Sequence, residues 1–248
     1  SLGDKVISKD LVSFARSRNI EFNIKNLKPN TQVYGFFDKV DVNSFLVPKL
    51  LEVSMTSGTF QVGEGVGGIM PSVETSQQID QATKPAIVFR VATTNHKYGP
   101  YNDPVDRFDR NPYNREVRIP ATYSETSTIL NCDTFSLANE DQPEFQGYIA
   151  TGMILRGANS GAHAIVKDVR LVTDRLGTLI GSYRIPSSAD PSNPIFETGR
   201  SRLRLTSSPI DSKVEGTVTT AAEEIFYSQG DIDNTQEVTL SLRNARVE

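Results

Sequence analysis

The chain has 248 residues, a formal net charge of −4 and 37% hydrophobic residues. Its length allows a substantial core, as one large β domain or as two to three small modules. The near-balanced charge gives no basic field that would attract nucleic acid, and no apolar run approaches the ~20 residues needed to cross a bilayer, so neither is expected as a partner.

Residue usage favours short strands and turns. Thirteen prolines, seventeen glycines and no tryptophan are typical of many strands joined by turns rather than of long helices. Cys132 is the single cysteine, so no disulfide can form within the chain, which suits assembly in a reducing cytoplasm. The first residue is Ser rather than Met, which suggests a processed or partial chain.

Two strands and a corner are predicted over residues 19–37, NIEFNIKNLKPNTQVYGFF. Ile20, Phe22 and Ile24 alternate with polar residues, which is the period of a strand with one buried face. Pro29 and Asn30 mark the turn, because proline fixes its own φ and asparagine tolerates left-handed geometry. A second strand of β-branched and aromatic residues follows the turn.

The turn resembles the corner of immunoglobulin-like and fibronectin-like sandwiches through Leu27, Pro29, Thr31 and Tyr34. In that corner a tyrosine hydroxyl bonds back to the turn backbone. Here the tyrosine lies one residue farther from the threonine, and too few strands precede it. Either earlier strands lie upstream of Ser1, or other segments of this chain complete the sandwich.

Further strands are predicted along the chain. Residues 45–52, FLVPKLLE, are apolar but interrupted by Pro48, which favours an edge strand or a lid over the core. Residues 86–93, AIVFRVAT, form the strongest continuous strand pattern. The remaining predicted elements are a strand and glycine turns over 58–68, a strand over 177–186, a hairpin over 196–206 that turns at Gly199, and a last hairpin that pairs 222–227 with 237–242.

Residues 96–123 form a proline-rich segment with five tyrosines or phenylalanines and interleaved Asp and Arg. Its four prolines exclude a helix and an inner strand, and its aromatic content argues against disorder. We predict a long extended arm that docks onto a neighbouring subunit, because long loops in compact domains are often contact surfaces. The candidate contact residues of this arm are Tyr98, Tyr101, Arg107, Phe108, Arg110 and Tyr113.

Two motifs suggest catalysis or cofactor binding and also have a structural reading. Gly63, Gly65 and Gly68 match the dinucleotide-binding fingerprint by letter, but a polar stretch follows where that fingerprint needs a helix, so a glycine hairpin is favoured. Ser160 and His163 lie close together without the spacing of a nucleophile elbow. We therefore predict no enzyme and no cofactor.

A third motif is a candidate calcium site. Asp231, Asp233 and Glu237, together with Thr235, place oxygen ligands on alternate residues. The loop glycine and the final acid of an EF-hand are missing, and a solvated hairpin tip is the alternative. The alternate arginines at positions 200, 202 and 204 suit either phosphate or glycan binding or, preferably, a solvated or ion-paired strand face.

These elements predict an all-β fold with a small sandwich, hairpin or barrel modules and a long proline-rich loop. The predicted division is a sandwich-like module over residues 1–53, a β module over 54–208 with the arm inserted at 94–126, and a C-terminal hairpin over 209–248. Similar glycine-rich segments near residues 63–67 and 151–157 leave an internal duplication open.

Several stretches resemble large virion structural proteins of tailed phages, especially T4-like myophages of marine cyanobacteria. They include SRNIEFNIKNLKPNTQVYGFFDKVDV, FRVATTNHKYGPYNDP, TGMILRGANSGAHAIVKDVRLVTDRLGTLIGSYRIP and FETGRSRLRLTSS. The resemblance covers most of the chain. Since those proteins are far longer, it implies that this chain is one portion of a larger polypeptide.

The resemblance implies a structural role in the virion, in the baseplate or the tail-fibre attachment region, after assembly in the bacterial cytoplasm. The expected partners are other virion proteins and copies of this chain, with a homotrimer as the leading oligomer by analogy with fibres. Alternatives are a tail-fibre adhesin that binds host-surface glycan and a capsid decoration protein. Removal of residues 98–113 should then leave a folded core but abolish incorporation into particles.

Overall fold

The structure, a computed structural model, describes residues 5–11, 13–71, 85–115, 117–228 and 231–236. Over these ranges the chain forms nineteen strands, one short α-helix and one 3-10 turn. Every sheet pairing among these strands is antiparallel. The predicted all-β fold is confirmed.

The elements have the following bounds. The strands are β1 Lys5–Leu11, β2 Asn19–Ile24, β3 Gln32–Phe37, β4 Val40–Asp41, β5 Leu46–Pro48, β6 Leu50–Ser57, β7 Gly65–Ile69, β8 Ile87–Arg90, β9 His96–Tyr98, β10 Asp106–Arg107, β11 Ile129–Asn131, β12 Gln146–Gly147, β13 Ile154–Gly157, β14 His163–Asp168, β15 Leu171–Val172, β16 Leu179–Arg184, β17 Gly199–Thr206, β18 Ala221–Ser228 and β19 Asp231–Gln236. The helix α1 spans Thr134–Ala138, and the 3-10 turn spans Asn43–Phe45.

The largest sheet has seven strands in the order β11-β6-β14-β13-β7-β8-β12. Its inner face carries the larger hydrophobic cluster, which includes Leu51, Val66, Phe89, Leu130 and Leu155. Hairpins β7–β8 and β13–β14 lie side by side, joined through the β13–β7 pair. The two glycine-rich segments are therefore neighbours in one sheet, and the duplication stays a prediction.

Two smaller sheets enclose a second core. One has the order β15-β3-β17-β18, with β4 beside β3, and the other has the order β2-β16-β5. Phe22, Phe37, Tyr183 and Leu205 from these strands are buried in one cluster. Because the burial of several aromatic side chains supplies a large hydrophobic stabilisation, this core holds the two small sheets against each other.

The chain changes sheets at Lys49. Strand β5 pairs with β16 in the three-stranded sheet, whereas β6 pairs with β11 and β14 in the seven-stranded sheet. The domain boundary predicted after residue 53 lies inside β6. It does not separate two packing units, since β2 and β3 pair with β16 and β17 from much later in the chain.

The predicted turn after β2 is present, but a different hydroxyl group fastens it. Asn30 has a φ of 51°, as expected for a left-handed turn residue. The hydroxyl of Thr173 donates to the carbonyl oxygen of Lys28 at 2.7 Å and accepts from the amide of Thr31 at 2.9 Å. A later segment of the chain therefore completes this part of the fold.

One predicted hairpin differs in the structure. Residues 199–206 form the single strand β17, and Gly199, with a φ of 124°, is its first residue rather than a turn residue. Strand β18 pairs with β17 over its whole length. The predicted pairing of residues 222–227 with 237–242 stays a prediction, because residues 237–242 lie outside the described residues. Strands β1 and β19 pair with each other.

Candidate functional site

The predicted contact arm is folded onto its own chain. Phe108 is buried in a small cluster with Leu50 and Ile129. The hydroxyl of Tyr113 donates to the carbonyl oxygen of Leu50 at 2.5 Å and contacts that of Arg170 at 3.2 Å. These two residues therefore contribute to the core of this chain. Removal of residues 98–113 would take away these core contacts, so we expect it to disrupt the fold, contrary to the expectation from the sequence.

The remaining arm residues lie nearer the surface but do not form one aromatic patch. Tyr98 is 60% exposed. Tyr101 lies close to Gly63, and the guanidinium of Arg90 lies 4.9 Å from the centre of its ring. Arg107 forms a long ion pair with Asp103, at 3.9 Å. Tyr98, Tyr101 and Tyr113 therefore have different surroundings, whereas a glycan-binding adhesin would be expected to present its aromatic residues in one concave patch.

Arg110 lies at the base of the arm. Its side chain is 4.0 Å from a carboxylate oxygen of Asp109, and its backbone forms a β-bridge with Arg118. The interleaved Asp and Arg of the arm therefore form ion pairs within the chain.

An apolar groove opens between strands β2 and β18, with a volume of about 430 Å³. We call it the edge groove. Ile20, Phe22 and Ile24 line one side, and Phe226 lines the other. Over the described parts of the chain, β2 pairs only with β16, and β18 pairs only with β17. Among the described residues, both strands therefore have one backbone edge without a strand partner, beside an apolar surface.

A buried carboxylate holds the loop between β13 and β14. Glu64 is 2% exposed. Its Oε1 accepts from the amide of Gln61 at 2.7 Å and from the hydroxyl of Ser160 at 2.8 Å. Its Oε2 accepts from the amides of Asn159 and Ser160 at 3.0 and 2.9 Å. Such a set of donors satisfies a buried carboxylate without a neighbouring cation.

This arrangement explains both glycine-rich motifs. The fingerprint glycines lead into the strand β7, where a dinucleotide site would need a helix. Ser160 donates to Glu64, whereas His163 bonds through Nδ1 to the hydroxyl of Ser57 at 3.3 Å, so these two residues face different partners. The role of Glu64 was not predicted from the sequence. The feature that could have indicated it is an acidic residue between two glycines, next to an apolar strand.

A second buried polar cluster surrounds the point where the chain changes sheets. Lys49 is 2% exposed and donates from Nζ to the carbonyl oxygen of Cys132 at 2.7 Å. Burial lowers the pKa of Lys49 to about 8, against the opposing effect of Cys132, Asp133 and Glu21. Burial also raises the pKa of Glu21, although a hydrogen bond from Thr134 opposes this. Sequence reasoning gave no sign of this cluster.

His96 and Cys132 border the same cluster. Burial, followed by the charge of Lys49, lowers the pKa of His96 to about 4. Burial raises the pKa of the Cys132 thiol well above its usual range, and a thiol that stays protonated is a poor nucleophile. All three side chains are at most 3% exposed, so the cluster lies in the interior at the junction between the sheets.

We expect the stability of the protein to fall as the pH is lowered from 6.5 to about 4. The pKa of His96 is lower in the folded chain than its ordinary value of 6.5, so the unfolded chain binds the proton first and acid favours unfolding. The variant His96→Gln keeps a donor for the carbonyl oxygen of Gly99 and removes this titration. Urea midpoints across this range should fall less steeply for it than for wild type.

The matched control is His163→Gln, which changes the other histidine of the chain. It should retain the wild-type slope. A His96→Gln variant with an unchanged slope would contradict the assignment.

The candidate metal ligands remain untested. Asp231 and Asp233 lie in β19, and Glu237 lies outside the described residues. Within the part of the chain that the structure describes, no group of three or more His, Cys, Asp or Glu residues is arranged to hold a metal ion. Over the same residues, no helix has the length and apolar character required to span a membrane.

Comparison of the chain with protein-family models, with curated proteins and with solved structures gives no match in any of the three. No family is shown, so the virion role implied by the resembling stretches stays a proposal. The edge groove is the feature of the described structure that bears most directly on it.

Proposed function

We propose that the chain is a non-enzymatic structural component of a tailed-phage virion, in the baseplate or the tail-fibre attachment region. The resembling stretches support the assignment to a particle. The edge groove supports the mode of action, which is contact between subunits. Copies of this chain and other virion proteins are the proposed partners, with a homotrimer as the expected self-assembly, which sedimentation measurements can test.

The edge groove carries the proposal because it combines two requirements for strand addition. An unpaired strand edge supplies backbone donors and acceptors, and an adjacent apolar surface accepts alternate side chains of the added strand. Strands β2 and β18 supply both edges, and Phe37, Leu203 and Leu205 form part of the apolar lining. The proposed occupant is an extended segment of a neighbouring virion subunit.

The charge at the edge groove indicates the composition of that segment. Glu21, Glu224 and Lys25 line the groove, whereas the carboxylate of Glu223 is engaged in ion pairs with Arg202 and Arg204. Glu224 lies opposite Leu203 in the register of β18 with β17, which places an acidic residue beside apolar ones on an exposed edge. An added strand with Lys or Arg beside its apolar residues complements this edge, whereas an acidic strand is repelled.

The test is incorporation into particles of the phage that encodes the chain. Glu224 lines the groove, is exposed, and lies on the same face of β18 as Phe226. Its replacement by Lys reverses the charge and repels a basic strand, so we expect about tenfold less chain per particle. Mass spectrometry of gradient-purified particles measures that ratio.

Glu215→Lys is the control, because Glu215 is exposed and does not line the groove. It should be incorporated normally. The absence of the wild-type chain from purified particles would refute the virion role. Normal incorporation of Glu224→Lys would refute the role of the edge groove.

The alternative roles make different predictions. A capsid decoration protein would lie on the head in electron-microscopy maps of the virion, whereas the proposed protein lies at the baseplate or fibre attachment. A host-surface adhesin would bind in a glycan array as an isolated chain and would lie at a fibre tip.

A further inference from the structure

A cleft beside the arm concentrates positive charge on a chain that is acidic overall. Its volume is about 210 Å³, and we call it the basic cleft. The cationic side chains that line it are Lys97, Arg107, Arg110, Arg115 and Arg175. Only two acidic side chains line it, Asp109 and Asp174. The chain as a whole has a net charge of −4, so this excess is local.

One of the two acidic residues is fully engaged within the protein. The Oδ2 of Asp174 lies 2.6 Å from Nζ of Lys97, and both side chains are buried. The Oδ1 of Asp174 accepts from the amides of Leu176 and Thr178 at 2.9 and 2.8 Å. This pair forms a neutral wall. Asp109 is the other acidic residue of the lining, and Asp103, outside the lining, forms the long ion pair with Arg107.

Arg107 and Arg175 retain donors that can face a ligand. Arg175 makes one ion pair, to Asp109 at 3.1 Å, and Arg107 makes one long ion pair to Asp103. Arg115 donates to the carbonyl oxygen of Asn30 at 3.2 Å. A guanidinium has five N–H donors in a planar fork that matches the oxygens of a phosphate or a similar oxyanion, and the described contacts of Arg107 and Arg175 use few of them.

The cleft is built on a fixed support. Phe108, a residue of the arm, forms one wall of the cleft and is buried against Leu50 and Ile129. The backbone amide of Asn111 donates to the carbonyl oxygen of Val117 at 3.0 Å. The side-chain Oδ1 of Asn111 accepts from the backbone amide of Tyr113 at 2.9 Å. A preformed loop loses little conformational entropy when a ligand binds.

We propose that the basic cleft binds a phosphate or sulfate group. Its volume is below the ~300–1,000 Å³ that is usual for pockets that hold drug-sized ligands, so it suits one charged group rather than a whole cofactor. The group is either a free anion or a substituent of a saccharide. This binding property is independent of the proposed assembly role, and it requires only the isolated chain.

The test is calorimetric titration of the full chain with inorganic phosphate and with sulfate, at an ionic strength held constant with sodium chloride. We expect saturable binding of both. The double variant Arg107→Gln/Arg175→Gln should bind at least about tenfold more weakly, because each removes a charge-assisted hydrogen bond. Both side chains are more than half exposed, so the fold should be retained, and an unchanged urea midpoint verifies this.

The control is a variant with the same change in charge elsewhere. Arg156 and Arg200 are exposed on β13 and β17 and do not line the cleft. Arg156→Gln/Arg200→Gln should bind phosphate as wild type does. Absence of saturable binding, or equal weakening in the two double variants, would overturn the proposal.

A second pair of titrations identifies the source of the group. Glucose 6-phosphate is compared with inorganic phosphate, with glucose as the neutral probe. Binding of glucose 6-phosphate at least tenfold tighter than inorganic phosphate supports a saccharide-borne group, and equal affinity supports a free anion. Binding of glucose as tight as that of glucose 6-phosphate would overturn the proposal, since the charge would then contribute nothing.

Discussion

Glu64→Gln is expected to lower the free energy of unfolding by on the order of 3 kcal/mol. Both carboxylate oxygens accept two hydrogen bonds each in a buried site. The amide nitrogen of glutamine is a donor, so in either orientation it faces donors and leaves buried groups unsatisfied. Because glutamine has nearly the same shape as glutamate, the loss measures the acceptor chemistry rather than a cavity. Urea denaturation followed by circular dichroism measures the change.

Glu125→Gln is the matched control, since Glu125 is exposed and should change stability by less than about 0.5 kcal/mol. Gly157→Ala gives an independent test: its Cβ would lie 2.8 and 2.9 Å from the two carboxylate oxygens of Glu64, and it should also destabilise the chain. The two effects should be less than additive, because both act on one site. A Glu64→Gln variant as stable as Glu125→Gln would contradict the assignment of the carboxylate.

Phe108→Ala is expected to lower the free energy of unfolding by about 3 kcal/mol, near the lower end of the usual cost of removing a buried phenylalanine. Phe108 is 8% exposed and packs against Leu50 and Ile129 in a small cluster. The lower end applies because that cluster is close to the surface and can relax around the cavity. The midpoint of urea unfolding is again the measurement.

Tyr98→Ala is the control for the arm. Tyr98 is 60% exposed, so its removal should cost less than about 0.5 kcal/mol. Equal losses for Phe108→Ala and Tyr98→Ala would contradict the folded-back arm. If Phe108→Ala were as stable as wild type, the arm would not contribute to the core. Removal of residues 98–113 would then be expected to leave a folded core.

The sequence determined the local character of the chain. Alternation at Ile20, Phe22 and Ile24 predicted β2, and this strand extends over Asn19–Ile24. Pro29 and Asn30 predicted the turn that follows it. These predictions succeed because a period of two and the φ preferences of proline and asparagine are properties of neighbouring residues. The same reasoning gave the all-β fold.

The sequence also showed that the arm is neither helix nor inner strand, but not where its aromatic residues lie. Phe108 and Tyr113 contact Leu50, which is more than fifty residues earlier in the chain. Local sequence carries no information on such a contact, because the residues around an aromatic side chain do not specify which distant part of the chain its ring packs against. Of the predicted arm residues, Arg107, Phe108 and Arg110 line the basic cleft.

Tertiary structure alone decided which strands pair and which charges are buried. A strand pattern specifies a buried face but not a partner, so the pairing of β2 with β16 and the change of sheet at Lys49 followed only from packing. The same is true of Glu64, whose donors come from residues 61, 159 and 160. A lysine or glutamate is ordinarily a surface residue, and only donors and acceptors brought together from distant segments can stabilise it in the interior.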